Sequence, residues 1–396
     1  MEELKVKISE LSEKYLQTII GYRRDIHQNP ELSFQEEKTA AYIKSILTDK
    51  GIMIVPINNQ HSFIAVIEGK QNGYTIGIRA ELDALPINEE TSLDFASKNN
   101  GVMHACGHDI HMATVIGTGI ILNEIKDLWG GRVLLIFESG EEQLPGGASA
   151  IIESDEFKRL KPDFMLGMHV LPELESGKVG FCVGRYMASG DEIYLTVKGK
   201  GGHAALPHTL IDPVVISSNI IINLQTIVSR SAPALVPTVL SFGKVEAKGA
   251  TNIIPSEVAI AGTFRTMDEV WRAKAHKLIE LKAKGIAQSM GGDCDVEIRN
   301  GYPSVYNNSD FTLRSKLIAT ELLGFDKVIA LEPRMTTDDF AFFSQQIPSV
   351  FFRLGVGSLE LTQNQLHSSC FVANEESLMV SVPLMALIVT NTLLQK

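Results

Sequence analysis

Two kinds of apolar spacing alternate along the first half of the chain, and that alternation limits the possible folds more than any other feature. Short unbroken apolar runs, "GGRVLLIFES" and "PDFMLGMHV", read as strands buried on both faces. Helical spacing separates such runs. A first helix reaches about Ile26 and is interrupted by Pro30, and a second runs from about Gln35 to Asp49 with Gly51 near its end. A third spans about Ile110 to Ile125, and "GGASAIIES" is a short fourth. "SFIAVIEG" and "TIGIRAELD", joined by "KQNGY", read as two strands with a hairpin-type turn. This order predicts an α/β fold with helices layered on a mostly parallel central sheet.

The texture changes after about Arg185. "DEIYLTVKGKG", "TVLSFGKVEAKG" and "EVAIAGTFRT" are strands with polar alternation. "DPVVISSNIIINLQTIVSR", with Pro213 in its first turn, and "DEVWRAKAHKLIELKAKGIAQSMGG" are long amphipathic helices. Helix spacing then resumes from about Asp310 to Leu323, followed by the strand "SVFFRLG" and a closing helix from about Glu375. A chain of 396 residues exceeds what one core usually holds. We expect an α/β domain of residues 1–185 and 299–396, interrupted by an inserted α+β domain of residues 186–298.

Residues able to do chemistry gather where the strands end. "MHACGHDIH", Met103 to His111, combines His104, Cys106, His108, Asp109 and His111. In extended or irregular backbone, residues two apart point the same way, so Cys106 and His108 can face one centre. Thiolate and imidazole are ligands for Zn, Mn, Co or Ni, although Cys-x-His alone is more often chance. Other strand ends add donors. Glu141 and Glu142 follow "GGRVLLIFES", at the kind of strand end where α/β sheets bind ligands. His169 ends "LGMHV", Glu81 and Asp83 end "IRAELD", and His367 sits in the polar loop "QLHSSCF". Each has a bland reading, such as a core histidine or a solvated acidic pair. If these ends share one sheet edge, a single metal centre accounts for all of them. Adjacent glutamates also suit a division of labour, one ligating and one free to take a proton from water. The competing reading makes Cys106 a nucleophile with His108 as its base. Such pairs usually lie far apart in sequence, and residues this close align poorly for that task.

A net charge of −11 argues against nucleic acid or an anionic membrane as partner. No run reaches the roughly 18 apolar residues of a membrane helix, and "MEELKVKISELSEKYLQ" lacks the apolar centre of a signal peptide. The expectation is a cytoplasmic protein with Cys106, Cys182, Cys294 and Cys370 reduced.

Ten segments taken in order resemble the metal-dependent aminoacylase and carboxypeptidase superfamily, in particular its hippurate hydrolase and indole-acetyl-amino-acid hydrolase branch. They are "YRRDIHQNPELSFQE", "IRAELDALPINEE", "MHACGHDIHMA", "FESGEEQLPGGA", "LGMHV", "GKGGHAALPH", "TNIIP", "GTFRT", "TDDFAFF" and "LHSSCF". The resemblance implies a zinc-peptidase-like catalytic domain with an inserted lid and dimerisation domain, and so a homodimer. It implies two divalent metal ions per subunit, Mn first, with Zn, Co or Ni as alternatives. Their ligands would be Cys106, His108, Glu142, His169 and His367, with Glu141 as general base and acid. Asp83 would orient a ligating histidine. His203 would stabilise the oxyanion, reaching into the partner subunit's site. Asn252 and Arg265 would hold the substrate's carboxylate, which suits a guanidinium fork; on their own they read as a turn Asn and a surface Arg. The implied reaction is hydrolysis of a small-molecule N-acyl-amino acid. The alternatives are a metallo-dipeptidase or aminopeptidase on the same scaffold, or a non-catalytic metal-dependent binding protein, against which the intact Glu141–Glu142 pair argues.

The chain also departs from that branch. Glu81 stands where Asp is usual, Glu138, Ser139 and Gly140 replace Gln-Pro-Ala, and "SSCF" follows His367 where proline is common. These changes bear on substrate preference and metal affinity. His104 and His111 are expected to scaffold the site, and His27 and His208 to be structural. Cys182, Cys294 and Cys370 are expected to be small packing residues.

Overall fold

A computed structural model describes residues 2–57, 61–358 and 365–394. They divide into two compact units. One comprises Met1–Gly184, Tyr306–Glu332 and Asp339–Lys396, and the other Arg185–Val305 and Pro333–Asp338.

The first unit is built on an eight-stranded sheet. At its centre Arg132–Glu138, Thr75–Glu81, Phe164–Glu175 and Ser349–Gly357 run parallel, each an almost wholly buried apolar run. Phe63–Glu68 and then Met53–Pro56 extend one edge antiparallel. Val179–Phe181 and Val328–Ala330 complete the other. This is the mixed α/β architecture with a mostly parallel sheet that the alternating spacing predicts.

The expected hairpin does not form. Arg132–Glu138 lies between Phe63–Glu68 and Thr75–Glu81, antiparallel to the first and parallel to the second. The connecting turn is long enough to bond to the lead-in of the intervening strand instead. Gly69 N–H donates to the Gly131 carbonyl at 2.9 Å, and Lys70 N–H to that of Trp129 at 3.0 Å. An Asn-Gly pair reverses a chain but does not decide which strands pair.

Helix His108–Glu124 is buried along most of its length and packs against Glu2–Gln28, Leu378–Leu393 and the sheet. The segment Glu375–Leu393 corrects the expectation that no stretch could span a membrane. By length and a mean hydropathy of 1.5 it could, but 83% of it is buried inside the protein. Its apolar faces are those of a core helix packed on both neighbours.

The second unit has a four-stranded antiparallel sheet in the order Thr238–Glu246, Glu257–Thr266, Asp191–Lys198, Asp293–Asn300. Ile193, Leu195 and Val197 alternate inward to meet helices Pro213–Thr226 and Glu269–Ser289. Pro213 opens its helix, and Asp212 caps it by accepting the Val214 N–H at 2.8 Å. Asp293–Asn300 is a strand the spacing does not reveal. It is an edge strand whose sequence, "DCDVEIRN", is half charged and mostly exposed.

Candidate metal centre

The strand ends bring one group of donors together in the first unit. Cys106 precedes helix His108–Glu124, and the two are joined by Gly107 at φ +82°. A Cβ at Gly107 would lie 2.6 Å from Val170 Cγ2, so the tight turn between the two donors requires glycine. Cys106 Sγ lies 3.3 Å from His169 Nε2. His169 Nδ1 donates to the Val170 carbonyl at 2.8 Å, which leaves Nε2 for the site. His108 is turned the same way. Its Nδ1 meets the Asp83 carbonyl at 2.9 Å and Asp83 Oδ1 at 3.2 Å.

Glu142 is fixed through its backbone, whose N–H donates to Asp83 Oδ2 at 2.9 Å. Its Oε1 lies 3.2 Å from His367 Nε2 and 4.0 Å from His108 Nε2. His367 is at φ +62°, and its N–H donates to the Ala105 carbonyl at 2.9 Å, which ties the C-terminal loop to the Cys106 turn. Glu141 is buried beside them. Donor atoms within 4.8 Å of one another form three overlapping sets: Cys106, His108 and His169; Cys106, Glu142 and His367; His108, Glu141 and Glu142.

This arrangement fits divalent cations. His108 Nε2 is buried without a hydrogen-bond partner, a condition that costs about 1–3 kcal/mol, and Glu142 Oε1 has the His367 imidazole beside it. Thiol, imidazole and carboxylate together are a transition-metal donor set. Burial pushes the Cys106 thiol up, so without a cation it keeps its proton. A cation must displace that proton on binding. The surroundings are the reverse of those that activate a nucleophilic cysteine.

Glu81, His108 and His111 also lie close enough to share a cation. However, both His111 nitrogens are taken, Nδ1 by Glu81 Oε2 at 2.8 Å and Nε2 by the Val170 N–H at 3.0 Å. His111 therefore braces the site. Glu81 in turn meets the fully buried guanidinium of Arg79, which also contacts Glu138 at 2.7 Å and Asp339 at 2.5 Å. Burial opposes ionisation of Glu81, but Arg79 overrides it and holds the carboxyl well below its usual range. Two residues that depart from the resembled branch, Glu81 and Glu138, thus share one cation. Arg79 and Asp339 were not singled out in the sequence, where a lone mid-strand arginine carries no signal.

His27 Nδ1 and Arg23 Nε hold Asp109 at 2.9 and 2.6 Å, which secures the helix that begins at His108. His104 is buried with neither ring nitrogen bonded. His208 is exposed on a short turn. Cys182 and Cys294 are buried, but Cys370 is exposed, contrary to expectation. It lies in the loop after His367, between Ser369 and the buried Phe371, and its N–H donates to the Ser368 hydroxyl at 3.3 Å.

In the second unit His203 and Asn252 lie together. His203 pairs with Ile253 in a two-stranded ribbon, and the Ala204 N–H donates to the Asn252 carbonyl at 3.0 Å. Both residues are exposed. The Ala205 N–H donates to His203 Nδ1 at 3.1 Å, which puts the ring proton on Nε2. Arg265, half-buried on Glu257–Thr266, donates from Nη1 to the Met335 carbonyl at 2.9 Å.

A mostly parallel sheet with thiol, imidazole and carboxylate donors gathered beyond its strand ends has the makings of a metal-dependent enzyme. Residues 77–391 match Peptidase family M20/M25/M40, and the chain belongs to that family. It is 40% identical to an N-acyl-L-amino acid amidohydrolase of Geobacillus stearothermophilus over 303 residues, 76% of this chain and 81% of that one. It is 38% identical to an N-acetylcysteine deacetylase of Bacillus subtilis (strain 168) over 364 residues, 92% of this chain and 93% of that one. A solved Bacillus subtilis structure, described as a dinuclear metal binding peptidase from the M20 family, superposes with a TM-score of 0.83 at 33% identity. The match covers 96% of this chain and 99% of that one. The protein is accordingly a metal-dependent amide hydrolase.

Proposed function

We propose that this enzyme hydrolyses N-acyl-amino acids, releasing a carboxylic acid and the free amino acid. The observation that carries the reading is the convergence of Cys106, His108, Glu142, His169 and His367, in which His108 Nε2 lacks a partner while Glu141 lies beside them. Cys106, His108, Glu142, His169 and His367 would hold two divalent ions, Mn before Zn, Co or Ni. When bound, the ions supply Lewis acidity toward the attacking water and the acyl carbonyl. Asp83 orients His108 and, through the Glu142 N–H, the glutamate pair.

Glu141 takes a proton from water as the water oxygen bonds to the acyl carbon. The same carboxyl returns that proton to the nitrogen as the C–N bond breaks. His203 donates from Nε2 to the oxyanion that develops between these steps. Asn252 and Arg265 grip the substrate's free carboxylate. The names of the two curated relatives support the substrate class. We also assign the second unit the roles of lid and homodimer interface, in keeping with Val215 and Ile222 exposed on one of its helices. The four cysteines form no disulfide among the described residues, in keeping with a cytoplasmic setting.

The test is amine release by Mn-reconstituted protein, comparing each N-acetyl amino acid with the matching free dipeptide. Release from the acylated compounds is expected. Release from the free dipeptides alone would move the assignment to a peptidase.

A further inference from the structure

Glu36 is buried at the start of helix Glu37–Asp49, where an acidic side chain would ordinarily cap the helix. It makes no cap bond. Its carboxylate turns instead to the loop that carries the two glutamates. Oε1 accepts the Gly140 N–H at 2.8 Å and the Phe34 N–H at 2.9 Å, while Oε2 takes the Ser139 hydroxyl. Among the described residues no cation pairs with it. A carboxylate buried without a cation is costly, so fold stability is a poor reason for its presence.

The loop is shaped to receive it. Gly140 is at φ +77°, and a Cβ there would lie 2.4 Å from Phe34 Cε1. Phe34 is itself at φ +64°, a strained conformation for a bulky residue. One residue earlier, Ser33 Oγ donates to Asp83 Oδ2 at 2.7 Å, the same oxygen that accepts the Glu142 N–H at 2.9 Å. The segment Ser33–Glu36 therefore holds a backbone N–H on each side of Glu141, that of Gly140 directly and that of Glu142 through Asp83. Ser139 and Gly140, two of the departures from the resembled branch, are the residues this clamp engages.

We propose that Glu36 is a positioning residue, which clamps the Ser139–Gly140 turn and so sets the carboxylate of Glu141 against that of Glu142. The inference rests on Glu141 being the base, but the clamp can be tested without catalysis. Misplacing a reacting group by about 1 Å costs on the order of 100-fold. Glu36→Ala should therefore lower kcat about 100-fold, leave KM within about twofold and retain the bound metal. It should also speed amide hydrogen exchange in a peptide spanning residues 138–142. Glu36→Gln, which can still accept both N–H groups at Oε1, should restore most of both. If Glu36→Ala does not fold, Ser139→Ala supplies the test, with the same signature at a few-fold size.

Unchanged exchange in these variants would overturn the clamp, and faster exchange with unchanged kcat would overturn its role in positioning the base. Loss of metal in proportion to activity would overturn it too, by making Glu36 a support for the ligands. If the unaltered enzyme hydrolyses no N-acyl-amino acid, the functional reading fails, and exchange alone decides the clamp.

Discussion

The two units hold most of their candidate site residues in opposite ways, His367 in the first being the exposed exception. In the first, Cys106, His108, Glu141 and His169 are buried, and each of the two imidazoles has its Nδ1 bonded to backbone. In the second, His203 and Asn252 are exposed on a short ribbon. The difference is the one expected from the roles we propose for each group. Metal donors have to be desolvated and preset, because an unfilled set of buried polar atoms is costly and a mobile one binds poorly. Groups that meet substrate have to stay open until it arrives. Substitutions in the first unit should therefore act through the metal, and those in the second on turnover with the metal in place.

The largest effect should come from Cys106→Ser. Losing a ligand should weaken metal binding by more than the roughly 10–100-fold that outer partners cost, and activity should fall with it. Equilibrium metal titration measures this, and unchanged affinity with lost activity would break the contrast. His203→Ala should lower kcat about 100-fold while both ions remain. A matching loss of metal would place His203 with the first group. A third effect, on stability rather than turnover, concerns Glu36 in metal-free protein. Burial pushes its carboxyl from an ordinary 4.5 up to about 7, with Asp83 adding to the shift and Ser139 opposing it. The folded state then holds this proton more tightly than the unfolded state. The associated stability is complete below about pH 4.5 and is lost as pH rises through about 7. Chemical denaturation of Glu36→Gln and the unaltered protein should diverge between pH 5 and pH 8, by up to about 3 kcal/mol in favour of the variant. A constant difference across that range would show that Glu36 does not titrate there.

Most of the sheet and the donor group was legible because both follow from short-range pattern. Unbroken apolar runs mark central strands, and polar residues that end such runs fall at one edge. Interactions between distant segments were not legible. Arg79 reads as a misplaced charge until Glu81, Glu138 and Asp339 close around it. The turn "KQNGY" predicted a pairing that Arg132–Glu138 intercepts. The apolarity of Glu375–Leu393 gains its meaning only from the helices that cover it. Glu36 lay inside a quoted motif, "ELSFQE", but nothing nearby shows that its partner is Gly140, more than a hundred residues away. Cys370 is exposed although Phe371 beside it is buried, because in irregular backbone residue type alone says little about which way a side chain faces.

The most direct test of the account is the number of metal ions bound per chain, counted by elemental analysis after reconstitution, in the unaltered protein and in Glu141→Gln. Two ions are expected in each, with hydrolysis of N-acyl-amino acids in the unaltered protein alone. A single ion in the unaltered protein, or an ion lost from Glu141→Gln, would contradict it, the first by removing the dinuclear centre and the second by making the base a ligand.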